Sequence, residues 1–146
     1  MGSFRWVEGL SVGVEEFDEA HRQCISLLED VEAAIEDGRI GQAGVLCDIL
    51  VHAMIDHCRR EEVFLRRIGY PGIDVLVEAQ NANVDRLRGI ATGMAEDPQA
   101  AARLAGQMRA AMVDYLLRGD INYKSYVDYV GASGEPDPDE DDDKDY

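Results

Sequence analysis

Basic residues are scarce in this chain: 14 Lys and Arg stand against 30 Asp and Glu, a formal charge of −16 over 146 residues. Nucleic acid and anionic membrane surfaces both demand a basic patch, so neither is an expected partner. No apolar run approaches the ~20 residues that cross a bilayer. The opening Met-Gly-Ser-Phe-Arg-Trp carries no apolar stretch to target or anchor it. Cysteine is limited to Cys24, Cys47 and Cys58, an odd set without paired spacing, which points to free thiols in a reducing compartment. Cys-x-x-Cys and glycine-rich phosphate loops are absent, as is any Ser-His-Asp order of interest. The expectation is a soluble cytoplasmic protein.

What is present is one domain's worth of chain with helical periodicity. From Glu135 onward eight acidic residues and one Lys carry −7 of the −16, leaving −9 on the body. Residues 131–146 lack apolar content and read as a disordered acidic tail that aids solubility. Residues 1–13 read as a non-helical arm anchored by Phe4, Trp6, Leu10 and Val12.

A first helix is predicted over Val14 to Asp37, where Phe17, His21, Cys24, Leu28, Val31 and Ile35 recur at three- and four-residue steps. Gly38 ends it. A second spans Gly41 to Ile68, with Leu46, Leu50, Ala53, His57, Glu61 and Phe64 or Leu65 on one face. Gly69-Tyr70-Pro71-Gly72 breaks the chain into a turn. A third covers Ile73 to Met94, aligning Ile73, Leu76, Gln80, Val84, Leu87 and Ala91. Asp97-Pro98 starts a fourth, Asp as cap and Pro in the first turn. Its stripe is Leu104, Met108, Ala111 or Met112, and Tyr115, ending near Gly119 or continuing toward Tyr129. Four such helices with short connections predict an all-α, up-down-up-down four-helix bundle over residues 1–130.

Four polar residues fall on or beside these apolar stripes: His21, His57, Glu61 and Asp120. His57 and Glu61 are one turn apart and leave the helix from the same face. A carboxylate on an inward stripe is costly to bury unless a cation or hydrogen bonds compensate it. A His from an earlier helix and a carboxylate from a later one would complete a metal site inside a bundle. Each has a plainer reading: His21 as a hydrogen-bonded core histidine, Asp120 as a surface residue at a frayed helix end. His52 points roughly 140° away from His57 around the helix and reads as a non-ligand. Glu62 reads as solvent-facing, beside Arg59 or Arg66. Cys47 and Cys58 read as packing residues, and so does Cys24, although it lies one turn from His21.

With these residues placed, the chain resembles a bacterial hemerythrin from Trp6 to about Tyr129. Trp6, Ser11-Val12-Gly13-Val14 and Phe17-Asp18-Glu19-Ala20-His21 resemble that family's opening. His57-Cys58-Arg59-Arg60-Glu61-Glu62 resembles its His-Phe-x-x-Glu-Glu segment, Gly69-Tyr70-Pro71 the turn that follows, and Asp120-Ile121-Asn122-Tyr123 its closing Asp-x-x-Tyr. The family's iron pattern is a first His, His-x-x-x-Glu, His-x-x-x-His and His-x-x-x-x-Asp. On this chain the resemblance implies His21, His57, Glu61 and Asp120 as ligands, while the remaining three His positions fall on Leu76, Gln80 and Tyr115. In the family, one iron takes the two His matching His21 and His57. The other takes the three that are replaced here, and the Glu and Asp bridge both metals.

The resemblance therefore implies a non-haem iron protein with one set of ligands kept and the neighbouring set lost. Two His with one or two carboxylates resemble an open mononuclear ferrous site. A single iron cycling between ferrous and ferric cannot supply the two electrons of the family's oxygen carriage. The implied role is binding or sensing O2, NO or redox state, with Leu76, Gln80 and Tyr115 lining the open positions. No residue specifies a substrate, so a binding protein rather than an enzyme is expected. Two alternatives stay open. One is a metal-free bundle serving as an interaction or scaffold domain, in which Gln80 and Tyr115 hydrogen-bond the surviving ligands. The other is a dinuclear site restored by substitute ligands among Tyr115, Gln80, Glu62 and Glu78.

Overall fold

The computed structural model describes residues 12–116 and 121–132, all of whose regular structure is helical. The elements are α1 (Glu15–Glu36), α2 (Ile40–Arg67), α3 (Ile73–Glu96), α4 (Ala101–Asp114) and α5 (Ile121–Ala132), with a 3-10 turn at Pro98–Ala100 before α4. The expected anchors Phe4, Trp6 and Leu10, the candidate ligand Asp120 and residues 133–146 lie outside the described residues. No described helix is long and apolar enough to cross a membrane.

The helix ends follow from local chemistry. Glu15, Glu16 and Asp18 fill the first turn of α1, where negative charge opposes the helix dipole. Gly38 and Gly69, at φ +76° and +75°, terminate α1 and α2 in the left-handed region that side chains avoid. The Arg39 N–H then reaches back to the Ala34 carbonyl (2.8 Å), and the Tyr70 N–H to that of Leu65 (2.9 Å). At the expected fourth start, the Asp97 side chain accepts from the Gln99 N–H (3.2 Å), with Pro98 beside it.

Around the bundle, α1 packs on α2, α2 on α3, α3 on α4, and α4 returns to α1. A long apolar core runs between them through Leu28, Leu50, Met54, Leu87 and Met108. Each such side chain contributes about 1.5–3 kcal/mol by leaving water. A smaller cluster of Val12, Phe17, Leu65, Leu76 and Tyr123 closes one end. The α2 stripe keeps the expected Leu50, His57, Glu61 and Leu65 and differs at two positions. Cys47 and Met54 lie fully buried on its centre, while Leu46 and Ala53 sit half-buried at its edges.

Toward the C-terminal end one expected boundary shifts. Helix α4 runs to Asp114 and widens into a π-type turn at Tyr115 and Leu116; the expected end near Gly119 lies outside the described residues, and α5 begins at Ile121. Helix α5 extends through Ala132, past the expected start of the tail at residue 131. Its anchors are aromatic. Tyr123 is fully buried, and the Tyr126 hydroxyl donates to the Ile68 carbonyl (2.9 Å) at the α2–α3 turn.

Between α1 and α4 lies a two-pronged ion pair. Arg109 Nε and Nη2 each donate to a Glu32 carboxylate oxygen at 2.7 Å, with Glu32 almost wholly buried. A fork of this kind fixes rotation of one helix against the other as well as their separation.

Candidate metal centre

The site grows from one turn of α2. His57 and Glu61, four residues apart, both face inward, and their burial is nearly complete at 2% and 0% exposure. Helix α1 delivers His21 opposite them, 1% exposed. The two imidazoles meet Nε2 to Nε2 at 2.7 Å. His57 Nε2 lies 3.1 Å from Glu61 Oε1, and His21 Nε2 lies 3.8 Å from Glu61 Oε2. Among the described residues, these three are the group of His, Cys, Asp and Glu side chains that converge closely enough to share a cation.

The donor separations fit an ion. Bonds of about 2.1 Å hold adjacent ligands about 3.0 Å apart at right angles and about 3.4 Å apart in a tetrahedron. The Nε2–Nε2 edge of 2.7 Å and the His57 Nε2–Glu61 Oε1 edge of 3.1 Å lie near the right-angle value, while the 3.8 Å from His21 runs to the other carboxylate oxygen. A proton also fits, because two ring nitrogens at 2.7 Å form a hydrogen bond when one of them carries hydrogen.

Around Glu61 the remaining helices place donors. Gln80 Nε2 of α3 donates to Glu61 Oε1 at 2.7 Å, and the Tyr115 hydroxyl donates to the same oxygen at 2.9 Å. The Tyr123 hydroxyl of α5 donates to Glu61 Oε2. One carboxylate thus gathers α2, α3, the end of α4, and α5 around itself. The π-type turn at Tyr115 bears on this, since such widened turns re-aim side chains and recur at functional sites.

Rings and aliphatic groups exclude water. Phe17 meets His57 edge-on (5.7 Å between centroids), and Tyr115 meets His21 edge-on (5.8 Å). Leu76 packs with Phe17, Leu65 and Tyr123 in the apolar cluster at the site's flank. Two surface cavities reach the site's walls. One of about 370 Å³ between α2 and α3 is lined by Cys58, Gln80 and Arg88; another of about 150 Å³ between α1 and α2 is lined by Phe17, Cys24 and His57.

The structure brings together His21, His57 and Glu61, with Gln80 and Tyr115 against them, and leaves Asp120 outside the described residues. His52 is exposed, its Nδ1 2.8 Å from the Asp48 carbonyl, as its helical phase required. Glu62 pairs with Arg66 at 2.8 Å. Gln80 presents its amide nitrogen to Glu61 rather than an oxygen to the site. Tyr123 was given no role by spacing. The available signal was its four-residue step to Val127, which also packs on the apolar cluster and marks an inward face. No protein-family model matches the chain, and no curated protein matches it.

Proposed function

We propose that this protein is a hemerythrin-like, up-down-up-down four-helix bundle that holds one non-haem ferrous ion through His21, His57 and Glu61. Its role is to bind or sense a small ligand such as O2 or NO, or the redox state of its surroundings. The observation that carries this reading is the convergence of two imidazole Nε2 atoms and one carboxylate in a buried pocket. When bound, iron in such a two-His-one-carboxylate set supplies open coordination positions and a one-electron couple. The chain's own residues do the rest. Gln80, Tyr115 and Tyr123 orient the Glu61 carboxylate and occupy lone pairs that a second metal would need. Phe17 and Leu76 keep the surroundings dry, and Gln80 and His57 stand at the inner walls of the two cavities.

A second reading has its own observation. Three donors on one buried carboxylate satisfy it without a cation, so the same residues serve as the polar core of a metal-free interaction domain. Metal content separates the two. After anaerobic purification and ferrous reconstitution, plasma mass spectrometry should find about one iron per chain, and His57→Ala should find none. No iron in the parent protein establishes the metal-free reading. Two per chain establish a dinuclear site with substitute ligands.

A further inference from the structure

The opposite part of the core contains a second convergence of donor atoms, made of sulfur. Cys47 of α2 is fully buried, and its Sγ lies 3.7 Å from Met94 Sδ of α3 and 4.0 Å from Met108 Sδ of α4. Both methionines are buried as well. Ten residues separate Cys47 from His57 along α2, about 15 Å of helix, so the two clusters share no ligand.

We propose that Cys47, Met94 and Met108 form a binding site for a soft monovalent cation, cuprous copper being the one that matches. Three arguments converge. The first is geometric. Bonds of about 2.3 Å to sulfur in a trigonal plane set the sulfurs about 4.0 Å apart; the edges from Cys47 are 4.0 Å to Met108 and 3.7 Å to Met94. The second is chemical, because one cysteine sulfur that loses its proton to the ion, with two thioethers, selects soft cuprous ion over hard cations. The third is electrostatic. A thiolate and a single positive charge sum to zero, which an apolar core tolerates, whereas a divalent ion would leave a buried net charge.

One cavity approaches the cluster at Met94. It measures about 400 Å³ and opens between the start of α2 and the end of α3, lined by Gly41, Gly44, Asp48 and Met94 among others. Met94 thus both lines this cavity and faces Cys47, and the Asp48 carboxylate in the same lining favours cations over anions. Binding displaces the Cys47 proton to solvent, so affinity rises with pH.

The test uses the full-length reduced chain and its His57→Ala variant, titrated anaerobically with cuprous ion against a bicinchoninate competitor. One ion per chain with an all-sulfur shell by X-ray absorption is expected in both proteins, which keeps the outcome independent of the iron reading. Met94→Leu and Met108→Leu preserve core volume, and each should weaken binding more than tenfold with helix content unchanged. Cys58→Ala should leave affinity unaltered. A nitrogen-only shell, or full affinity in both methionine variants, overturns the proposal; the methionine variants carry the test even where Cys47→Ala fails to fold.

Discussion

Replacing Tyr123 with Phe removes one oxygen from a buried position and leaves the ring in place. That oxygen belongs to a hydroxyl donating to Glu61, a carboxylate with no exposure. Hydrogen bonds to charged groups are worth about 1.5–3 kcal/mol, and Phe adds no cavity term, so the metal-free protein should lose that amount. For a chain of this size the loss corresponds to a fall of about 3–12 °C in Tm. Tyr126→Phe supplies the internal control. Its hydroxyl docks the same helix but donates to the neutral Ile68 carbonyl, a bond worth about 0.5–1.5 kcal/mol. Urea denaturation of both variants, followed by circular dichroism, reads the difference. Tyr115→Phe combined with Tyr123→Phe should be non-additive by about 0.5–3 kcal/mol, because both hydroxyls serve one acceptor. A Tyr123→Phe loss below about 0.5 kcal/mol, or one no greater than that of Tyr126→Phe, would refute the idea that Glu61 is a buried anion organised by α5.

Arg109→Met should cost about 3–5 kcal/mol in denaturant, because it strands the buried Glu32 carboxylate; Glu32→Leu with Arg109→Met should recover most of that loss. Burial pushes the Cys47 thiol from 9.0 up to about 11, with the neighbouring Asp48 charge adding to it. Below pH 9 both folded and unfolded metal-free chains keep this proton. Between about pH 9 and 11 only the folded chain does, so stability should fall by about 1.4 kcal/mol per pH unit. Chemical melts across that range should lose this component of the slope in Cys47→Ala, and an identical slope in parent and variant would contradict it.

Helix positions were legible because periodicity and breakers are local. Gly38, Gly69 and Asp97-Pro98 end or begin helices whatever the helices later pack against. His57 and Glu61 were legible as a pair for the same reason, since one turn of helix puts them together before any tertiary contact forms. On α2 the expected Leu50, His57, Glu61 and Leu65 are buried, whereas Leu46 and Ala53 stand beside the innermost Cys47 and Met54. Over 28 residues a helix shows several plausible apolar rows, and only the neighbours decide which is innermost.

The sequence by itself determined that the chain is helical, where most helices start and stop, and that His57 and Glu61 share a face, because each depends on residues within about a turn of one another. Tertiary structure decided that Tyr123 reaches Glu61 from a separate fifth helix, that Gln80 offers it an amide nitrogen, and that three sulfurs from three helices meet at Cys47. These contacts join residues 19 to 62 positions apart, and such distances close only when the helices have chosen their rotations around a common core.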